Sequence, residues 1–147
     1  MQRIRIQHTP PSHGWVSLRL SVGDQSVAID ASDVPNNPIQ DLVDAIDLVA
    51  CGVHSQVWWH LEPDGYFMRF EPIGNDVLFR LDFAPRSERR LAEPVLSLRG
   101  SRAEVLLPFF RFLREFQSHA YREPHWPEVH YERLFAVKAQ LGDSSDA

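Results

Sequence analysis

Three stretches between residues 56 and 83 alternate apolar and polar side chains, and turn sequences separate them. Because a period of two places successive side chains on opposite faces of a strand, this pattern predicts an antiparallel β-sheet. The sequences Pro63-Asp64-Gly65 and Gly74-Asn75-Asp76 are typical of turns, since proline pre-sets one backbone angle and glycine accepts a positive φ. We expect burial of the apolar residues on one face, which include Val57, Trp59, Leu61, Tyr66, Met68, Phe70, Phe79 and Leu81.

The pairing of the first two of these strands decides which side chains become neighbours. Direct pairing of Leu61 with Tyr66 keeps both apolar faces on one side and places Trp58 opposite Arg69. A glycine bulge at Gly65 would shift the register by one residue and move Arg69 to the core side. We therefore predict the direct pairing.

Residues 37 to 52 have the clearest helical pattern in the chain. Asn37 is a suitable N-cap, and Pro38 at the first helical position loses no hydrogen bond. Apolar residues then recur at helical spacing as far as Ala50, and Gly52 follows as a left-handed terminator. This segment predicts one amphipathic helix.

The rest of the chain predicts further strands and helices. Short or alternating apolar runs predict strands at residues 4–6, 15–22, 27–29 and 95–99. A capping box at residues 101–104 opens a helix, which Pro108 should bend or delay. Pro127 opens a last helix, whose apolar residues are Tyr131, Leu134, Phe135 and Leu141.

This order of elements predicts an α+β fold. We expect a single domain over residues 1–141, mainly an antiparallel β-sheet with one central helix and two C-terminal helices packed on one face. A doubly wound parallel sheet would require regular alternation of strands and helices, which the pattern lacks. Residues 142–147 are polar and are expected to form a flexible tail.

Composition excludes several classes of function. A formal net charge of −5 argues against binding of nucleic acid through phosphate contacts. No apolar run approaches the length of a membrane span, and the first residues lack the apolar region of a secretory signal. Cys51 is the single cysteine and has no partner for an internal disulfide, so we expect a cytoplasmic protein. Together these observations predict a protein that contacts neither nucleic acid nor a membrane.

The residue types that carry catalysis have no arrangement that requires it. Cys51 lies at the end of the predicted helix, where the macrodipole disfavours a thiolate, so we predict a buried thiol and not a nucleophile paired with His54. The seven histidines lack helical metal-ligand spacing, and one cysteine is too few for a cysteine-based zinc site. Neither Gly-x-Ser-x-Gly nor a glycine-rich phosphate loop occurs. We expect no catalytic residue, metal or cofactor.

Two surface features are candidates for binding a partner. Asp41, Asp44 and Asp47 recur every three residues along the predicted helix, as either a solvated face or a docking surface for a basic protein. Trp58 lies off the apolar face of its strand, with His60, Phe67 and Arg69 predicted around it. This second group has the composition of a binding hot spot, although a second, smaller core would produce the same pattern.

Part of the sequence resembles a loose class of small bacterial proteins. The first part of the resemblance consists of Asp41 to Gly52, Trp59, Glu62 to Tyr66 and Val77 to Phe83. The later part consists of Tyr121, Trp126-Pro127 and Leu134. Several members of this class are considered immunity partners of polymorphic toxins. The resemblance implies a protein-interaction domain that neutralises a toxin, and it carries no catalytic residue. We expect such a domain to act by occlusion, with its acidic and aromatic surface covering the active site of a basic toxin domain.

Two other functions remain open at this stage. One is a small-molecule-binding or enzymatic domain with a site around Trp58, His60 and Arg69, and the other is a structural homodimer that uses the same sheet face. A deep pocket with convergent polar groups would favour the enzyme, whereas a flat exposed patch would favour protein binding.

Overall fold

Seven strands and two long helices make up the computed structural model, which describes residues 3–11, 13–120, 126–132 and 134. The strands are β1 (Ile4–His8), β2 (Trp15–Val22), β3 (Gln25–Ser32), β4 (Ser55–His60), β5 (Gly65–Ile73), β6 (Asp76–Ala84) and β7 (Glu93–Ser101). The helices are α1 (Pro38–Ala50) and α2 (Arg102–Ala120). The α+β class predicted from the sequence is confirmed.

The strands form two antiparallel sheets, where the sequence predicted one. The first sheet has the order β1-β2-β3 and the second the order β4-β5-β6-β7, so neighbouring strands are also consecutive in the chain. The predicted hairpin is present, with Val22 opposite Gln25 across its turn. Helix α1 separates β3 from β4, so no tight turn brings these two strands into register and the sheets stay distinct.

Strands β4 and β5 pair two residues away from the predicted register. Trp59 pairs with Tyr66 and Trp58 with Phe67, so Arg69 lies opposite Gln56 and not opposite Trp58. The loop consists of residues 61–64, whereas the predicted pairing left residues 62–65 between the strands, so the loop has the predicted length and begins one residue earlier. A shift of two residues leaves every side chain on its predicted face, so the faces were right and the pairs were wrong.

Helix α1 begins and ends where the sequence predicted. The Oδ1 atom of Asn37 accepts from the N–H groups of Ile39 and Gln40 at 3.1 and 3.4 Å, and Gly52 has a φ of +85°. The prediction that Cys51 is buried is wrong, since its side chain is exposed. Cys51 is the C-cap residue, and the buried stripe of the helix ends before it, at Val49.

Helix α2 carries the predicted capping box. Ser101 Oγ accepts from the Glu104 N–H at 3.1 Å, while Glu104 Oε1 accepts from the Ser101 N–H at 2.9 Å. The helix begins at Arg102 and continues through Pro108, so the proline does not delay it. The buried side chains on both sides of Pro108, among them Leu106 and Phe109, offset the one hydrogen bond that it lacks.

The predicted arrangement of one central and two C-terminal helices is not matched. In the described part of the chain, α2 is the one long helix that follows the second sheet. Of the predicted last helix, residues 132 and 134 are helical. Phe135, Leu141 and the tail at 142–147 lie outside the described residues, as does Tyr121.

One hydrophobic core contains side chains from both sheets and both helices. Helix α1 packs on β4 and β5, whereas α2 contacts β1 of the first sheet and β6 and β7 of the second. Most of the predicted core residues are fully buried, namely Val57, Trp59, Met68, Phe70, Phe79 and Leu81. Leu61 and Tyr66 are only half-buried, because Leu61 lies in the loop that joins β4 to β5 and Tyr66 lies near the end of that loop.

Candidate functional site

Trp58 is the central aromatic residue on the face of the second sheet that points away from the core. Its indole N–H donates to His60 Nδ1 at 3.1 Å, and its ring centroid lies 4.7 Å from that of Phe67. Trp58 and His60 are half-buried, whereas Phe67 is 5% exposed. The indole is therefore held by two aromatic neighbours and still reaches the surface.

Gly65 provides the space that the Trp58 ring occupies. A Cβ atom added at Gly65 would lie 2.6 Å from Cη2 of the Trp58 ring and would also clash with the main-chain oxygen of Trp59. The indole thus lies directly against the backbone of β5. Glycine is required at position 65 because the indole approaches the backbone closely, and not because the backbone makes an unusual turn.

Arg69 is part of an internal ion pair. Its guanidinium donates to Asp82 Oδ2 at 2.7 Å, and the Asp82 side chain is 4% exposed. Arg80 lies 3.7 Å from the other Asp82 oxygen. Phe67 and Ala84 lie on the same face and are buried apart from the main core, so the Arg69–Asp82 pair belongs to a small buried cluster. The structure therefore does not present Arg69 together with Trp58 as a binding group.

Asn36 connects the start of α1 to the strand that carries Trp58. Its side-chain amide donates to Asp41 Oδ2 at 2.7 Å and to the Trp58 carbonyl at 2.9 Å. This carbonyl faces outwards because β4 is an edge strand. The structure thus links the Asp41 carboxylate to the main chain of Trp58, two residues that the sequence analysis assigned to separate features.

Asp41 and Asp44 lie in the first half of α1, and neither forms an ion pair among the residues that the structure describes. Burial raises the pKa of Asp41, and the nearby carboxylate of Asp44 raises it further, while the hydrogen bond from Asn36 opposes both effects. Asp44 is exposed and accepts from Gln40 Nε2 at 3.0 Å. Asp47 lies about 9 Å further along the helix axis than Asp41 and is less closely associated with the site.

The loop before α1 adds exposed apolar surface beside these groups. Val34 is 62% exposed and Pro35 is also exposed, immediately before Asn36 in the chain. We call Val34, Asp41, Asp44, Trp58 and His60 the acidic–aromatic surface. Its members come from the β3–α1 loop, the first half of α1 and strand β4.

Comparisons with family models, with curated proteins and with solved structures find no match to this chain. Within the described ranges, no three histidine, cysteine or acidic side chains are close enough together to hold a metal ion. The helices within those same ranges include none that is both long and apolar enough to cross a membrane.

The sequence analysis missed two residues of the site, Asn36 and Gly65. Asn36 stands next to the N-cap Asn37, and a second polar amide before a helix start was the available signal. Gly65 was interpreted only as a turn residue, since no sequence pattern shows which side chain lies across a glycine. Both roles depend on contacts between separate elements.

Proposed function

We propose that this chain is a protein-binding domain that contacts a basic partner through the acidic–aromatic surface. The observation that carries the proposal is the fixed, half-exposed indole of Trp58 on β4, the strand that Asn36 links to the acidic start of α1. Tryptophan residues are enriched at the energetic centres of protein interfaces. Because His60, Phe67 and Gly65 already hold this ring, binding would restrict little further side-chain motion.

The carboxylates at the start of α1, which Asn36 links to the main chain of Trp58, favour a partner that carries arginine or lysine. Asp41 is half-buried, and Asn36 supplies it with a neutral donor rather than a cation. A cationic side chain of a partner would compensate both Asp41 and Asp44, and it would lower the raised pKa of Asp41. Complementary charges of this kind also accelerate association.

The resemblance to immunity proteins indicates which class of protein the partner belongs to. We propose that it is a basic toxin domain and that the acidic–aromatic surface covers its active site. The net charge of −5 supports attraction to such a domain over a distance of about one Debye length.

The geometry gives less support to the two alternatives. An enzyme built on Trp58, His60 and Arg69 would need free polar groups, but Arg69 is paired with Asp82 and His60 Nδ1 accepts from Trp58. A homodimer through this surface would bring Asp41 and Asp44 of two copies together, and repulsion between like charges disfavours it.

Titration of purified basic toxin domains with the chain tests this proposal. We expect one of them to bind, and Trp58→Ala to weaken binding by about tenfold or more. Trp15→Ala is the matched control, since Trp15 is 37% exposed and lies on the other sheet. Asp24→Asn with Asp30→Asn is the charge-matched control for Asp41→Asn with Asp44→Asn. Equal binding by all variants, or no binding by any basic domain, would contradict the proposal.

A further inference from the structure

A cleft of about 320 Å³ lies between β1, β7 and the first half of α2. This volume lies within the range of small-molecule sites, which begins at about 300 Å³. Its apolar wall includes Ile4, Leu98, Leu107 and Pro108, and the last three of these side chains are only half-buried. Its residues share no member with the acidic–aromatic surface.

The charged residues of this cleft are mainly arginines. Arg3, Arg99 and Arg111 line it, which is a local excess of positive charge in a chain of net charge −5. Among the described residues, Arg3 and Arg111 have no ion pair, while Arg99 contacts the exposed carboxylate of Asp76 at 3.2 Å. Two guanidinium groups at the cleft therefore keep their donors for another anion.

Among the described residues of the lining, Glu104 is the one carboxylate, and the capping box already holds it. Hydrogen bonds from the backbone and side chain of Ser101 lower its pKa, so it is ionised at neutral pH and directed towards the helix start. Arg111 lies on the same helical face, seven residues further on. The first turn of α2 also contributes the positive end of its dipole to this region.

A second, smaller cleft continues the basic surface along α2. It is lined by Leu107, Phe110, Arg111 and Arg114, and it shares Leu107 and Arg111 with the first. Arginine donates two parallel hydrogen bonds to a carboxylate or a phosphate. The cleft thus combines donors for an oxyanion with an apolar wall beside them.

We propose that this cleft binds a small oxyanion that carries an apolar body, such as an alkyl carboxylate or an alkyl phosphate. The oxyanion lies between Arg3 and Arg111, and the alkyl group lies against Leu98, Leu107 and Pro108. Neither the arginines nor the apolar wall is sufficient for binding alone, because the arginines are exposed and the apolar wall is small. Binding therefore requires a ligand with both parts.

Calorimetric titration of the full chain with octanoate and with octyl phosphate tests this site. We expect saturable binding with one ligand per chain and a dissociation constant of about 1 mM or below. Arg111→Gln should weaken it by about tenfold, because an arginine–oxyanion contact is lost. Arg90→Gln is the control, since that arginine is 76% exposed and lies outside the cleft. Ala103→Leu, which fills the cleft without changing its charge, should also weaken binding.

Three results would overturn the proposal. The first is an absence of saturable binding of both octanoate and octyl phosphate. The second is equal affinity of the Arg111→Gln and Arg90→Gln variants for these ligands. The third is sedimentation of the chain with phosphatidylglycerol vesicles without binding of free octanoate, which would make this region a membrane contact. Octanol, which lacks the anion, should bind at least about tenfold more weakly than octanoate. None of these results depends on the acidic–aromatic surface, so this proposal and the proposed function can fail separately.

Discussion

Asp41 and Trp58 are joined through one side chain, because the amide of Asn36 donates both to the Asp41 carboxylate and to the Trp58 carbonyl. This bridge fixes the start of α1 against the edge strand β4. It also places a poorly solvated carboxylate next to the strand residue that presents the indole. The position of the acidic–aromatic surface therefore depends on a residue that contributes no charge to it.

Loss of this bridge should be measurable as a loss of stability. We expect Asn36→Ala to lower the free energy of unfolding by about 1 to 2 kcal/mol, because two part-buried acceptors lose their donor. The Oδ1 atom of Asn36 is buried without a hydrogen bond among the described residues, which offsets part of the loss. Urea denaturation measures the change. Asn75→Ala, in the exposed turn between β5 and β6, is the control and should change the free energy by less than about 0.5 kcal/mol.

The raised pKa of Asp41 predicts that removal of its carboxylate stabilises the fold in a pH-dependent way. Folding favours the protonated form of this group, so ionisation costs stability as the pH rises above its ordinary value of 3.8 and through the raised value. Asp41→Asn should therefore match the native chain below pH 3.8 and become more stable above it, by less than about 1 kcal/mol because the group is half solvated. Asp44→Asn, which removes a neighbouring charge, should give a smaller change in the same direction. A native chain that gains stability over the variant with rising pH would contradict this account.

The close approach of Trp58 to Gly65 predicts a specific intolerance to a methyl group. Gly65→Ala should destabilise the fold by about 1 to 3 kcal/mol, because the indole and the adjacent backbone must move. Gly100→Ala is the matched control in another strand, where an added Cβ would meet its nearest neighbours at 3.4 to 3.6 Å, an ordinary contact distance. Thermal denaturation compares the two variants. Similar melting temperatures would show that the ring does not lie against Gly65.

The exposed position of Cys51 predicts ready reaction with a thiol reagent. The side chain is at the C-cap of α1 and is accessible, so one thiol per native chain should be labelled at a rate close to that of the unfolded chain. Cys51→Ser should abolish labelling and leave the melting temperature nearly unchanged. Protection of the thiol until the chain unfolds would favour the buried position that the sequence first indicated.

Local patterns predicted much of this fold correctly. The period of two determined the faces of β4, β5 and β6, and the N-cap at Asn37 and the capping box at Ser101 determined two helix starts. These signals lie within a few residues of one another, which is why a single sequence reveals them. The burial of Trp59 and the partial exposure of Trp58 follow from the same alternation.

The contacts that build the site could not be predicted in this way. A shift of two residues changes the partner of Trp58 from Arg69 to Phe67 without changing any face, so the apolar pattern is the same for both registers. The division into two sheets, the Arg69–Asp82 pair and the Asn36 bridge all depend on residues that are distant in the chain. Cys51 was misplaced because the buried stripe of α1 ends at Val49, before the helix itself ends.

The central claim is tested most directly by the rates at which a bound basic domain associates and dissociates at low and high salt. We expect Trp58→Ala to increase the dissociation rate by about tenfold or more with little change in the association rate, since it removes a central anchor. Asp41→Asn with Asp44→Asn should instead slow association and reduce its salt dependence, because these charges steer the approach. The account is contradicted if Trp58→Ala dissociates no faster than Trp15→Ala and the double aspartate variant keeps the association rate and salt dependence of the native chain.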